Sequence, residues 1–207
     1  MFTVKICGLT NLDDARWALE EGADFLGFVL YPQSPRCVTA ELLAHIVDHL
    51  PDHARPVGVF VNEAPILVKR IASVCRLAAV QLNGDEDPSD FSDIGLPVWR
   101  AVRLESGVWM PRPGQWKVDR FVLDVASPAY GGTGKKIDWE TGRGFASQHR
   151  AMLAGGLDPE SVAEAIRQVR PMGVDVSSGV EHSPGKKDLH KVAAFIENAK
   201  AAAGVIE

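Results

Sequence analysis

The sequence predicts an α/β protein built as a compact (β/α)8 barrel of the TIM type, and three observations carry that expectation. Short apolar runs recur along the chain, starting near residues 2, 24, 56, 78, 97, 120, 151 and 172. Most are separated by a helix signal, the pattern of parallel strands joined by crossover helices. The runs are near-continuously apolar, as strands buried on both faces of a parallel sheet are. At 207 residues the chain sits at the small end of the usual size for such a barrel. An open doubly wound sheet is the alternative. It usually carries its glycine-rich loop after strand one, and Cys7-Gly8 is not a G-x-G-x-x-G. No linker or composition shift divides the chain, so residues 1–207 are expected to form one domain.

Strand one spans Phe2 to Ile6, and Asn11 caps a helix that runs to about Glu21 and is closed by Gly22. Strand two covers Asp24 to Leu30, and a loop with Pro32, Ser34, Pro35 and Arg36 follows. Helix two begins near Thr39 and ends before Pro51. Strand three is Pro56 to Val61, with Asn62 expected to cap a helix from about Ala64 to Val74. Strand four is Ala78 to Leu82; the polar stretch after it leads to a short, weak helix around residues 88–93. Strand five is Pro97 to Val102. The segment 103–117 has two prolines and no clean period, so helix five is expected to be degenerate or irregular. Strand six, Arg120 to Asp124, leads to a glycine-rich loop and a short helix from about Trp139.

The last two strands end in small, glycine-bearing loops. Ala151 to Ala154 runs into Gly155-Gly156, followed by Asp158 as N-cap and Pro159 at the first helical position. Met172 to Val176 runs into Ser177-Ser178-Gly179, and a final helix spans about Lys187 to Ala203. In a barrel of this kind the loops after strands seven and eight commonly hold phosphate. Glycines let backbone N–H groups approach an anion closely, and a helix N-terminus adds a favourable dipole.

Composition narrows the partners. Hydrophobic content of 46% and charged content of 24% are ordinary globular values, enough for a sizeable core. The net charge is −5 with no strongly basic patch, so neither nucleic acid nor an anionic membrane is an expected partner. Cys7, Cys37 and Cys75 form no C-x-x-C pair, and the histidines show no ligand grouping, so no metal site is expected. An odd, sparse cysteine count fits a reducing compartment. The first residues, MFTVKICGLT, lack the apolar region of a secretory signal, and no run is long enough for a membrane span. A cytoplasmic protein, monomeric or homodimeric, is expected.

Such barrels work at the C-terminal ends of their strands. Alternation puts Thr3, Lys5 and Cys7 on one face of strand one, so Lys5 lies one layer below Cys7 and a neighbouring cation is expected to lower the thiol pKa. The bland reading of Cys7 is a small buried residue. Asp124 closes strand six in FVLD; a mouth-facing carboxyl is a candidate general acid, and its bland reading is a partner for a lysine or arginine. Strands one and six face each other across the mouth, the arrangement an isomerisation that relocates a proton needs. Arg36, in SPR, suits a carboxylate through its planar fork, or is simply a surface loop arginine. Gly131-Gly132-Thr133-Gly134-Lys135 lacks P-loop spacing and reads as a lid.

An ordered set of segments resembles the phosphoribosylanthranilate isomerase family along the whole chain. They are VKICGLT at 4–10, GFVLYPQSPRCV at 27–38, VGVFVN at 57–62, VQLNGDE at 80–86, FVLD at 121–124, GGTGKKIDW at 131–139, LAGGLDPESV at 153–162 and GVDVSSGVE at 173–181. The resemblance implies a metal- and cofactor-free Amadori rearrangement of a small phosphosugar substrate, N-(5-phosphoribosyl)anthranilate, in tryptophan biosynthesis. It implies Asp124 as general acid and Cys7 as general base, and Arg36 as the contact of the anthranilate carboxylate. It also assigns the phosphate to Gly155, Gly156, Asp175, Ser177 and their neighbours Ser178 and Gly179. The sequence departs at Asn83, where the family commonly has histidine; an amide does not titrate near neutrality but still forms hydrogen bonds. Other phosphosugar barrels are the runner-up, with an acid in place of Cys7 marking the histidine-pathway type. A non-catalytic phosphosugar-binding barrel is the reading from a different class.

Overall fold

The structure, a computed structural model, describes residues 2–124 and 139–205. Eight parallel strands close into a ring: β1 (Thr3–Ile6), β2 (Phe25–Val29), β3 (Pro56–Phe60), β4 (Ala79–Leu82), β5 (Val98–Glu105), β6 (Arg120–Asp124), β7 (Ala151–Leu153) and β8 (Gly173–Val176). Each pairs with its sequence neighbours, and β8 pairs with β1 to shut the barrel. Helices α1 (Leu12–Glu20), α2 (Ala40–Asp48), α3 (Pro65–Val74), α4 (Trp139–Ala146), α5 (Val162–Val169) and α6 (Leu189–Gly204) lie outside the ring. None of the described helices is long and apolar enough to cross a membrane.

Alternation sorts each strand into two cores. Val4, Ile6, Leu26, Phe28, Phe60, Val80, Leu82, Leu123 and Val174 pack outward against the helices. Phe25, Val57, Ala79, Trp99, Val122, Met152 and Ala154 fill the barrel itself. Its floor is a stack of cations on rings. Phe25 meets Trp99 edge-on at 4.7 Å, and the Arg120 guanidinium lies 4.4 Å from the Trp99 ring. Arg55 covers Phe25 at 4.2 Å.

Caps appear where short polar side chains precede a helix. Asn11 Oδ1 accepts from the Asp14 N–H at 2.8 Å, and Thr39 Oγ1 from the Leu42 N–H at 3.2 Å. Asn62 does not cap α3; that place belongs to Ala64, followed by Pro65 at the first helical position. Asn62 instead adopts a left-handed backbone, φ 54°, and its side chain accepts from the Asp85 N–H at 2.6 Å, tying β3 to the loop after β4. The weak helix expected around 88–93 is a 3-10 turn, Pro88–Phe91. The final helix starts at Leu189, capped by Asp188, because Lys187 is taken into a short hairpin, Glu181–Ser183 against Lys186–Lys187.

The place of helix five is irregular, and its form is strand. β5 runs on to Glu105, turns at Ser106-Gly107 and returns as Val108–Met110. The residues that follow cover the barrel wall: the Trp116 ring lies 4.6 Å from the guanidinium of Arg100. Arg100 points outward from β5 and donates to the carbonyls of Leu82 and Gly84, both at 2.6 Å. It also pairs with Glu86 at 3.0 Å, with both side chains almost fully buried. Burial pulls Arg100 down to about 10, against the pull of Glu86. Glu86 in turn accepts from the Asn62 and Gly84 N–H groups, so one ion pair pins the loop after β4.

Removing one partner of such a pair leaves an uncompensated buried charge. Glu86→Ala is expected to cost about 3–5 kcal/mol in urea unfolding at neutral pH. A loss under about 1 kcal/mol, the range of an exposed pair, would contradict this account.

Candidate active site

Cys7 follows β1 and Asp124 ends β6, and the pleat turns both toward the barrel axis. On β1, Val4 and Ile6 belong to the outer core, so Lys5 and Cys7 face inward; on β6, Val122 lies in the inner core and Leu123 in the outer, so Asp124 faces inward. Around the ring from β6 come β7, β8 and then β1. The glycine-bearing loops after β7 and β8 therefore lie between the aspartate and the cysteine.

Cys7 is 7% exposed. Below it, the fully buried Lys5 donates to Asp175 Oδ2 at 2.9 Å, on β8 directly alongside. A Cβ added to Gly27 of β2 would lie 2.8 Å from Cys7 Sγ and 2.8 Å from Lys5 Cε, so both side chains fill the space over that glycine. Their electrostatics differ from the sequence expectation. Burial is the largest effect on Cys7 and pushes its thiol above the ordinary value; Lys5 pulls it down, Asp175 pushes it up, and the net direction is upward. Burial also works against the Lys5 ammonium, but Asp175 and Cys7 outweigh it and hold its pKa above the usual lysine value. The cation expected to free the thiolate is largely neutralised by a carboxylate that local sequence does not reveal as its partner.

Asp175 accordingly stands apart from the glycine-bearing loops. It is 6% exposed, and its carboxylate points into the barrel and holds Lys5. A carboxylate repels phosphate, so its place is with Lys5. The other loop residues do gather. Gly155 and Gly156 both have positive φ, 78° and 65°, which turns the backbone sharply at the end of β7. Asp158 Oδ1 accepts from the N–H and hydroxyl of Ser161, at 2.7 and 2.6 Å, and caps the turn just ahead of α5. Gly179 is packed so closely on the Leu157 backbone that a side chain there would collide with it, which brings the two loops into contact. A small recess bounded by Trp139, Gly155, Gly156 and Ser161 opens beside them. Ser177 is half-buried and Ser178 exposed.

Arg36 reaches the same rim. Its loop is tied by the Ser34 hydroxyl, which accepts from the Arg36 N–H at 3.2 Å, and by Val38, whose N–H donates to Val29 at 2.9 Å. The guanidinium pairs with Glu181, Nε to Oε1 and Nη2 to Oε2, both at 2.7 Å. Glu181 also takes Lys187 Nζ at 3.0 Å. Local sequence does not single out Glu181 or Lys187. Their signal is two opposite charges flanking a Ser-Pro-Gly turn, which pairs them across a hairpin. Just past β4, Asn83 Oδ1 accepts from Gln81 Nε2 at 3.0 Å, so the departure from histidine leaves a hydrogen-bonded amide at the mouth. The glycine loop Gly131-Gly132-Thr133-Gly134-Lys135 lies outside the described residues. Among the described residues, no group of His, Cys, Asp or Glu side chains is arranged to hold a metal ion.

Comparison with known proteins gives one consistent answer. The family model of N-(5'-phosphoribosyl)anthranilate isomerase matches residues 4–198. The protein of that name from Trichlorobacter lovleyi is 50% identical over 204 residues, covering 98% of this chain and 100% of the relative. The crystal structure of the Thermotoga maritima phosphoribosyl anthranilate isomerase superposes with a TM-score of 0.86 at 41% identity, covering 97% of this chain and 100% of that one. A further structure is that enzyme type in complex with reduced 1-(o-carboxyphenylamino)-1-deoxyribulose 5-phosphate. Its TM-score is 0.83 at 38% identity, and it covers 97% of this chain and 100% of that one.

The upward shift of the Cys7 thiol has a direct consequence. Alkylation of Cys7 by iodoacetamide, followed by mass spectrometry of its peptide, is expected to stay slow at pH 7 and to half-titrate above about 8.5, the free-thiol value. Half-titration near pH 7 would mean that Lys5 overcomes burial.

Proposed function

The chain belongs to the N-(5'-phosphoribosyl)anthranilate isomerase family, and from that premise we propose that Asp124 is the acid and Cys7 the base of its reaction. The activity is the isomerisation of phosphoribosylanthranilate in tryptophan biosynthesis. The observation that carries the residue assignment is the order around the mouth: Asp124 on β6, the two loops on β7 and β8, then Cys7 after β1. A substrate whose phosphate rests on those loops has its ribose between the two side chains.

The chemistry then divides by side. The Asp124 carboxyl gives its proton to the furanose ring oxygen, the C1–O bond breaks, and the anilino nitrogen takes up the positive charge as a Schiff base. The Cys7 thiolate removes the C2 proton, and the electrons of that bond neutralise the nitrogen to give an enolamine. The enol proton leaves and C1 gains one, which yields the ketone. Asp124 is then short of one proton and Cys7 holds one extra, so a single transfer restores both. Arg36, through its planar fork, receives the carboxylate of the anthranilate ring. Gly155, Gly156, Ser177, Ser178 and Gly179 surround the phosphate with backbone N–H groups and hydroxyls.

The working form needs a protonated Asp124 and an ionised Cys7. Carboxyls titrate below thiols, so this form is a minor tautomer of the dominant carboxylate–thiol form. The two carry equal charge, and their ratio does not change with pH between the two titrations. Hence kcat/KM is expected to be flat through neutrality and, on the alkaline side, to fall above the raised thiol pKa of Cys7. A fall beginning near pH 7 would contradict this. Asp124→Asn and Cys7→Ser are each expected to lower kcat by about 10²–10⁴ with folding intact, read by the fluorescence of freshly generated phosphoribosylanthranilate. Unchanged turnover in either variant removes that residue's role. Arg36→Ala is expected mainly to raise KM, because the carboxylate is held alike in ground and transition states.

A further inference from the structure

We propose that Glu181 is a positioning residue that ties together the two anion-binding ends of the site, fixing Arg36 directly and the Ser177 loop through Lys187. The proposal deepens the reading above and rests on it. Glu181 opens the hairpin after β8 and is 9% exposed. Its carboxylate collects four donors: Arg36 Nε and Nη2 at 2.7 Å each, Lys187 Nζ at 3.0 Å and the Gly185 N–H at 3.2 Å. Lys187 Nζ goes on to donate to the Ser177 carbonyl at 3.1 Å. One buried carboxylate is thus bonded to the arginine at one end of the site and, one step away, to the backbone of the loop at the other.

The manner of the Arg36 contact gives this a function. Glu181 takes the Nε–Nη2 edge of the guanidinium, whose second bidentate edge runs from Nη1 to Nη2. Holding the first edge fixes where the second one points. The arginine stem is confined as well: a Cβ on Gly8 would lie 2.6 Å from Arg36 Cδ and 2.7 Å from Ser177 Oγ. Arg36 therefore crosses the seam between β1 and β8, next to Cys7 and against the phosphate loop. The charged groups that meet here are Arg36 and Lys187, positive, and Glu181, negative; Lys5 and Asp175 lie below as an ion pair. Burial pushes the Glu181 carboxyl up, but Arg36 and Lys187 together bring it below the ordinary value. Lys187 shares that single carboxylate with Arg36, and burial pulls its own pKa down. The cluster carries one net positive charge toward a substrate with two anionic ends.

Charge and position predict opposite signs, which makes the idea testable. Glu181→Gln removes a negative charge and, by electrostatics alone, tightens anion binding. Loss of positioning weakens it. The measurement uses anthranilate and inorganic phosphate as separate competitive inhibitors of the whole enzyme, with thermal unfolding followed in parallel. Glu181→Gln is expected to raise both inhibition constants about tenfold, with KM rising and kcat within about twofold. Lys187→Met is expected to weaken phosphate alone and Arg36→Ala anthranilate alone. If Glu181→Gln does not fold, Glu181→Asp keeps the charge and withdraws it by one methylene, and the same weakening of both inhibitors is expected. Unchanged or tighter binding of either inhibitor in the folded Glu181 variant overturns the proposal. An anthranilate constant unmoved by Arg36→Ala overturns the Arg36 assignment beneath it, and the proposal with it.

Discussion

The pairing of β8 with β1 is the constraint on which the rest of this molecule depends. Thr3 lies against Gly173, Val4 against Val174, Lys5 against Asp175 and Ile6 against Val176, and the Cys7 N–H closes the ladder onto the Val176 carbonyl at 2.8 Å. This register shuts the ring and joins residues from opposite ends of the sequence. It buries Lys5 and Asp175 together, where neither charge would be tolerated alone. It also sets Cys7 beside Ser177, so the thiol and the loop after β8 share one seam. A slip of one residue would turn Lys5 and Cys7 out among the helices and Val4 and Ile6 into the barrel.

Above that seam the interior changes character in layers. The floor is rings and guanidinium groups around Phe25 and Trp99, the middle holds the Lys5–Asp175 pair, and the rim carries Cys7, Asp124, Asn83 and the Arg36–Glu181–Lys187 cluster. The middle pair shapes the electrostatics at the rim. With Asp175 alongside it, Lys5 cannot lower the Cys7 thiol enough to offset burial, and its pKa stays above the ordinary value. A buried thiol with a raised pKa is a scarce but strong base once ionised.

Much of this was legible in local pattern. Apolar runs located all eight strands, and alternation alone aimed Cys7 and Asp124 inward, because a strand buried on both faces leaves little freedom once one residue's side is known. Gly155-Gly156 and Gly179 marked the loops, since sharp backbone turns and close backbone contacts favour that residue type. The failures share a cause: they concern partners distant in sequence. Asn62 has the right chemistry for a cap, yet its side chain goes to Asp85. Asp175 is read as a strand-tip residue, and its Lys5 partner appears only when β1 is placed beside it. Lys187 reads as the start of a helix because its bond to Glu181 depends on a two-strand hairpin. The prolines of 103–117 mark the segment as irregular, but nothing in them announces that β5 lengthens and folds back.

An isotope measurement tests the proposed division of labour between Asp124 and Cys7, because it separates the two steps directly. Single-turnover rates are compared for substrate carrying hydrogen or deuterium at ribose C2, in wild type, Asp124→Asn and Cys7→Ser. If Cys7 removes the C2 proton and Asp124 opens the ring, Cys7→Ser makes C–H cleavage rate-limiting and shows the full isotope effect. Asp124→Asn makes ring opening rate-limiting and brings the effect toward unity. A large effect in Asp124→Asn with none in Cys7→Ser would contradict the assignment.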